Sequence, residues 1–349
     1  LKNFPETSQR SILGECRRDA FMQQEQIQWE ANVWYLERLH LGKHRIDESK
    51  SLISISFMEV KEIQNREILQ AHMKYELGIT GQAVSTIVRR FVCIRNFIEL
   101  LEQEKILAIH ATVAEVKKYA DGLRERGIQA KGFNERIFGI GHFYKFMEVK
   151  QYITRMPFRI EYFQQKEVIV HHDRSVEETV YMEILKKLYL FPERLRCMFL
   201  HLWCLGLRAS EVCTLKGNAY YQQGEDYWIQ VYQVKMKNYK RIPIPQALYQ
   251  IMKVYLKKHE IQPEEFIFKN SRGGACLYGT FRTQMIEACR ENKIANGEYL
   301  FQSHDYRHTV ATMFYDSHVS LQSIRDYLGH TYEEMTRQYI DYMPQRIAK

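Results

Sequence analysis

Two arginines, two histidines and a tyrosine stand out by the company they keep. Arg307 lies in Ser303-His304-Asp305-Tyr306-Arg307-His308. His330 follows in Leu328-Gly329-His330, and Tyr339 closes a span of 37 residues. Arg208 stands far upstream, in Gly206-Leu207-Arg208-Ala209-Ser210-Glu211. This set makes a poor metal site and a good site for holding a phosphodiester and attacking it. A guanidinium is planar, permanently charged and able to pair with two phosphate oxygens at once. Arg208 and Arg307 each fall at a predicted loop-to-helix start, where free backbone N–H groups also favour an anion. Tyr339 is the candidate nucleophile. A free phenol has a pKa of about 10, so attack near neutral pH needs positive neighbours or a base. The two guanidinium groups and the imidazoles of His304 and His330 supply that environment. The departing sugar oxygen needs a proton, and a lysine on a mobile hairpin delivers one. Lys235 and Lys237 lie where a predicted strand meets its turn, and either fits.

Other chemistries are excluded on stated grounds. His304 and His308 have the i, i+4 spacing of a zinc helix, but the position after the first histidine is Asp305, and Arg307 between them would repel a dication. The paired His171 and His172 have no third ligand nearby and read as surface residues. There is no GxxxxGK[ST] or GxGxxG motif, so a nucleotide-driven motor is unsupported; Gly273-Gly274 reads as a loop. The seven cysteines are odd in number and widely spaced, without a CxxC, which points to a reducing compartment and the cytoplasm. No apolar run approaches the roughly 18 residues of a membrane span. No secretory signal is visible, and a start at Leu1 rather than Met points to a missing N-terminal piece. The net charge of +8 over 349 residues suits a polyanionic partner without demanding one.

The elements that must position these residues follow from periodicity. Residues 1–50 are polar and helix-prone, with Trp29, Trp34 and Tyr35 as apolar anchors, and read as an N-terminal helical arm that docks elsewhere. Residues 51–165 read as a bundle of four or five helices. Phe57 to Tyr75 has helical spacing. Ala83 to Glu104 carries one stripe, Ile87, Phe91, Ile94, Phe97, Ile98 and Leu101, with Arg89, Arg90 and Arg95 outside it on a face able to meet phosphates. Thr112 with Glu115 is a capping-box start for a helix to Arg126, and Phe133 to Val149 is the last helix. Residues 166–176 lack periodicity and form the predicted linker. The second domain, 177–349, is mainly helical with one small antiparallel sheet. Helices are expected at 177–191, 193–205, 209–215, 246–259, 278–292, 304–316, 320–328 and 332–340. A strand at 227–234, a turn at Asn238-Tyr239 and a returning edge strand through Pro243 and Pro245 complete it.

In order and spacing, these boxes resemble the phage-integrase family of tyrosine recombinases. Gly206 to Glu211 matches its first arginine box, His304 to Arg307 its H-x-x-R box and Leu328 to His330 its L-G-H box. Tyr339 falls nine residues further on, where the family keeps its nucleophile. Lys235 lies eight residues before Pro243, as the family's hairpin lysine does, with Lys237 the second choice. The resemblance covers about residues 177–345; over 52–150 it is architectural, like the family's helical core-binding domain. It implies that Arg208 and Arg307 hold the scissile phosphate while Tyr339 attacks to give a 3′-phosphotyrosyl link. Lys235 protonates the 5′ oxygen, His304 exchanges the phenol proton, His330 hydrogen-bonds the phosphate and Glu211 orients the site. It implies no cofactor, metal or nucleotide. The implied partner is double-stranded DNA with a specific recombination site, bound by a homotetramer across two sites, in integration, excision or transposition of a mobile element. A type IB topoisomerase, or a non-catalytic DNA-binding regulator on the same fold, are the alternatives.

Overall fold

A computed structural model describes residues 16–168, 174–234, 236–330 and 336. The chain divides into two compact units, Leu1–Ile46 with Leu52–Ile169, and Asp47–Ser51 with Val170–Lys349. Among the described residues the architecture is mainly α, with two small antiparallel sheets.

Among the described residues the first unit has helical residues 16–23, a β-ribbon and four long helices, α1 (Ile63–Ile79), α2 (Val84–Gln103), α3 (Val113–Glu125) and α4 (Ala130–Val149). The six-residue stripe of α2 is buried throughout. The Thr112 hydroxyl accepts from the Ala114 amide at 3.2 Å, and Glu115 accepts from the Thr112 amide at 2.6 Å, so α3 starts at the expected capping box.

Two expectations for this unit are corrected. Residues 16–46 do not form a separate helical arm, since β1 (Val33–Tyr35) pairs with β2 (Ser54–Ser56) and carries Trp34 into the bundle core. Trp34 is fully buried between Trp29 and Phe57, with ring centroids 4.8 and 4.7 Å away. The polar look of the stretch hid a two-stranded element too short to show a period. The first long helix begins at Ile63 rather than Phe57. The Phe57 amide donates to the Asn32 carbonyl at 2.8 Å, which keeps that residue in the ribbon.

The second unit surrounds its own core. It contains α5 (Glu178–Lys187), α6 (Glu193–Leu205), the short α7 (Ala209–Cys213), α8 (Gln246–Lys258), α9 (Tyr278–Glu291), α10 (Ser303–Asp316) and α11 (Leu321–Leu328). The sheet is three-stranded, ordered β3 (Tyr220–Gln223), β4 (Asp226–Gln233), β5 (Asn238–Pro243), all antiparallel. β3 has no counterpart in the sequence reading, because four residues are too few to register an alternation. The turn also moves. Gln233 pairs with Asn238 and Tyr232 with Tyr239, so Asn238-Tyr239 is inside the strand and the chain reverses between Gln233 and Asn238. Lys237 takes the left-handed backbone there, at φ 55°. Buried Tyr306 locks α10 onto the core, with its ring centroid 5.1 Å from Phe199 and 5.4 Å from Phe301. Apart from Thr336, the expected helix at 332–340 lies outside the described residues, as does most of the predicted linker's centre.

Replacing Trp34 by Ala should lower the unfolding free energy of the first unit by about 3–5 kcal/mol, the usual cost of removing a buried aromatic. Urea melts would read this, and a change below about 1 kcal/mol would return residues 16–46 to the status of a loosely docked arm.

Candidate active site

Arg208 and His330 are each set by a chain feature that the local sequence dictates. α6 ends at Gly206, which adopts φ 58°, a backbone that costs an L-residue about 1–2 kcal/mol. Its amide donates to the Leu202 carbonyl at 3.0 Å, and the chain turns so that Arg208 becomes the residue preceding α7. Gly329 repeats the device after α11, at φ 69°, and delivers His330. A Cβ on Gly329 would lie 2.4 Å from Gln233 Nε2, so the close approach also needs glycine.

The centre of the site is Glu211, 2% exposed. Its Oε1 accepts from Arg208 Nη1 at 2.8 Å and from Gln233 Nε2 at 3.1 Å. Its Oε2 accepts from the Arg208 amide at 2.9 Å and faces Lys240 Nζ at 3.6 Å. Burial alone would push this carboxyl up. The charges of Lys240, Arg307 and Arg208 outweigh burial and hold it below the usual carboxylate range.

Arg307, 1% exposed, is braced by main-chain oxygens. Nη1 donates to the Gly206 carbonyl at 2.8 Å and Nη2 to the Leu328 carbonyl. Both acceptors lie at helix C-termini, which carry partial negative charge and left-over carbonyls. One guanidinium therefore ties the ends of α6 and α11 to α10.

The His330 amide donates to the Arg325 carbonyl at 3.0 Å, and its Nδ1 lies 3.0 Å from the hydroxyl of buried Thr336. Burial first, then Arg307, Arg208, Lys240 and His304, push the imidazole down to about 3, so it is neutral at pH 7. His304 is exposed on α10 and stands edge-on to His308, with centroids 4.9 Å apart. Burial, followed by His304, Arg174 and Arg307, takes His308 to about 3 as well.

The structure thus gathers Arg208, Glu211, Arg307 and His330, with His304 on the same helix as Arg307. Lys235 and Tyr339 lie outside the described residues. Lys237 is exposed on the hairpin. Arg89, Arg90 and Arg95 belong to the other unit, and carboxylates already hold them. Arg89 pairs with Glu135 at 3.3 Å and Arg95 with Glu59 at 3.5 Å. Arg90 is largely buried against Glu76, with Gln82 Oε1 at 3.0 Å. The reading of Arg90 as a phosphate-facing surface charge is therefore corrected: it is a structural ion pair. The sequence reading missed Lys240 and Gln233. Both occupy strand positions that alternate inward, and their polarity at such positions was the available signal. Among the described residues no three His, Cys, Asp or Glu side chains are grouped to hold a metal, and no helix is long and apolar enough to cross a membrane.

Two arginines and a lysine thus surround one buried carboxylate, within a helical domain bearing a three-stranded sheet. Residues 174–346 match the phage integrase family. Transposase B from transposon Tn554 of Staphylococcus aureus is 24% identical over 322 residues, covering 89% of this chain and 51% of that protein. The chain thus spans about half the length of that relative. Tyrosine recombinase XerC of Bacillus licheniformis is 23% identical over 271 residues, covering 73% of this chain and 84% of that one. Among solved structures, the Tn1549 transposon integrase with a circular intermediate DNA superposes with a TM-score of 0.58 at 15% identity, covering 78% of this chain and 94% of that one. XerH recombinase bound to its difH substrate gives 0.58 at 14%, covering 84% and 89%. The second half of this chain is thus similar to the phage integrase family, and its fold is the tyrosine-recombinase catalytic fold.

Gly329→Ala should cost at least about 1–2 kcal/mol through its left-handed backbone, with a further loss as Gln233 is displaced from Glu211. Chemical denaturation that shows no change would refute the close approach. A second expectation concerns acid. The folded pKa values of His330 and His308, about 3, and of buried His201, about 4, lie below the unfolded value. Protons therefore bind the unfolded chain better, and stability should fall as pH drops through the unfolded histidine value of about 6.5. Urea midpoints that stay flat between about pH 7 and about pH 5 would contradict the neutral imidazoles.

Proposed function

We propose that this chain is a site-specific tyrosine recombinase that cleaves and rejoins DNA strands for a mobile element, by integration, excision or transposition. The observation that carries the reading is the convergence of Arg208, Arg307 and His330 on one site around Glu211. The similarity to a transposon transposase and to XerC recombinases supports the biological setting.

Arg208 and Arg307 neutralise the non-bridging oxygens of the scissile phosphate as charge builds on them. The phenol oxygen of Tyr339 attacks phosphorus, the bond to the 5′ oxygen breaks, and a 3′-phosphotyrosyl ester remains. The phenol proton passes to His304, and the departing oxygen takes one from Lys235, with Lys237 the second choice. His330, neutral at pH 7, donates a hydrogen bond to the phosphate. One ester replaces another, so rejoining to a new strand needs no nucleotide.

In this reading the helical first unit, residues 51–165, is the DNA-clamping core-binding domain. The substrate is duplex DNA with a specific recombination site, and four protomers act on two sites in the cytoplasm. Phosphate contacts then dominate affinity, which should fall steeply with salt.

The test is a covalent trap. Wild-type protein is incubated with DNA, denatured, and the protein-linked DNA is recovered and sequenced. A nicked duplex made from that sequence then serves as substrate. Tyr339→Phe should retard this duplex in a native gel yet leave no adduct on a denaturing one. Arg208→Ala and Arg307→Ala should each lower adduct formation by about a hundredfold or more. An adduct from Tyr339→Phe at the wild-type level would overturn the assignment.

A further inference from the structure

Lys240 belongs to none of the family's boxes, yet the structure spends burial on it. Alternation along β5 puts residues 240 and 242 on one face. Ile242 on that face is part of the core of the second unit, while Tyr239, Arg241 and Pro243 are exposed. Lys240 thus occupies an inward position where an apolar residue would be cheapest. Its side chain is only 9% exposed, and Nζ has no hydrogen-bond partner among the described residues. Glu211 Oε2, its nearest anion, is 3.6 Å away, beyond hydrogen-bond range.

A buried ammonium with one distant counter-ion is costly unless it serves its neighbours. The groups facing it come from each element packed there. Arg208 and Glu211 come from the start of α7, Arg307 from α10, and His330 from the turn after α11. Burial, then Arg307 and Arg208, press its pKa down to about 8, while Glu211 pulls the other way. The folded state thus holds this proton less tightly than the unfolded chain. Protonated Lys240 subtracts from stability below about pH 8, and the penalty disappears above its unfolded value.

We propose that Lys240 is a positioning residue of the cleavage site, acting through Glu211. Its ammonium offsets the carboxylate that anchors Arg208, so that anchoring does not cancel the positive charge offered to the phosphate. Two arginines and one ammonium against one carboxylate leave a surplus of two positive charges, and losing the ammonium's proton leaves one. The inference rests on the recombinase reading above and deepens it. Cleavage should therefore weaken as pH rises through about 8, in step with Lys240 losing its proton.

The experiment is adduct formation on the nicked duplex across the neutral to alkaline range. It compares wild type, Lys240→Met, Lys240→Arg and the double variant Lys240→Met/Glu211→Gln, with circular dichroism and native-gel DNA binding as controls. Lys240→Met should form adduct about tenfold or more slowly at neutral pH. Lys240→Arg, whose charge does not titrate, should cleave near the wild-type rate and keep that rate at about pH 9, where wild type has declined. Removing the carboxylate as well should restore part of the loss in Lys240→Met. A folded Lys240→Met that cleaves like wild type overturns the proposal. So does a folded Lys240→Arg that is as slow as Lys240→Met, or that declines with pH as wild type does. In each of these cases the wild-type adduct still forms and the recombinase reading stands. A wild type that forms no adduct at any pH would remove that reading instead.

Discussion

A single carboxylate buried among cations governs the candidate site of the second unit. Glu211 is 2% exposed and takes hydrogen bonds from the Arg208 side chain, the Arg208 amide and Gln233, with Lys240 behind. An isolated carboxylate could not be buried at this depth without becoming neutral. The cations keep it ionised, and it in turn keeps them together against their mutual repulsion. That mutual dependence converts residues far apart in sequence into one site.

Helix ends supply the rest of the frame. α6 and α11 stop at left-handed glycines, and each leaves a carbonyl pointing at the guanidinium of Arg307. The partial negative charge of those termini replaces a second buried carboxylate. Arg307 is thereby oriented by groups that carry no full charge. The same glycine turns place Arg208 and His330, so the backbone conformation and the charge arrangement are one design.

The electrostatics of the site follow from what is buried and what is exposed. Arg307, Glu211 and His330 are buried, which strengthens each electrostatic contact relative to water. His330 is held neutral by that same burial and by its cationic neighbours, so it adds no further charge to the site. Lys237, at the turn between β4 and β5, is exposed and has a left-handed backbone, whereas Gln233 and Lys240 of the same two strands face inward.

The sequence by itself determined the parts whose signal is local. The stripe of α2, the Thr112 capping box, the Gly206 and Gly329 stops and the order of the boxes were all readable, because side-chain period and left-handed backbone are written within a few residues. Three-residue β1 and β2 and four-residue β3 were not, since they are too short to show a period and exist only through pairing. Trp34 looked like an anchor for something else because its partner Phe57 lies 23 residues away in sequence. Arg90 looked like a surface charge because Glu76 lies on another helix. Lys240 went unread in the sequence. Only the fold decided that it sits behind Glu211, because burial and charge pairing are properties of the space between elements, and no residue carries that space in its own name.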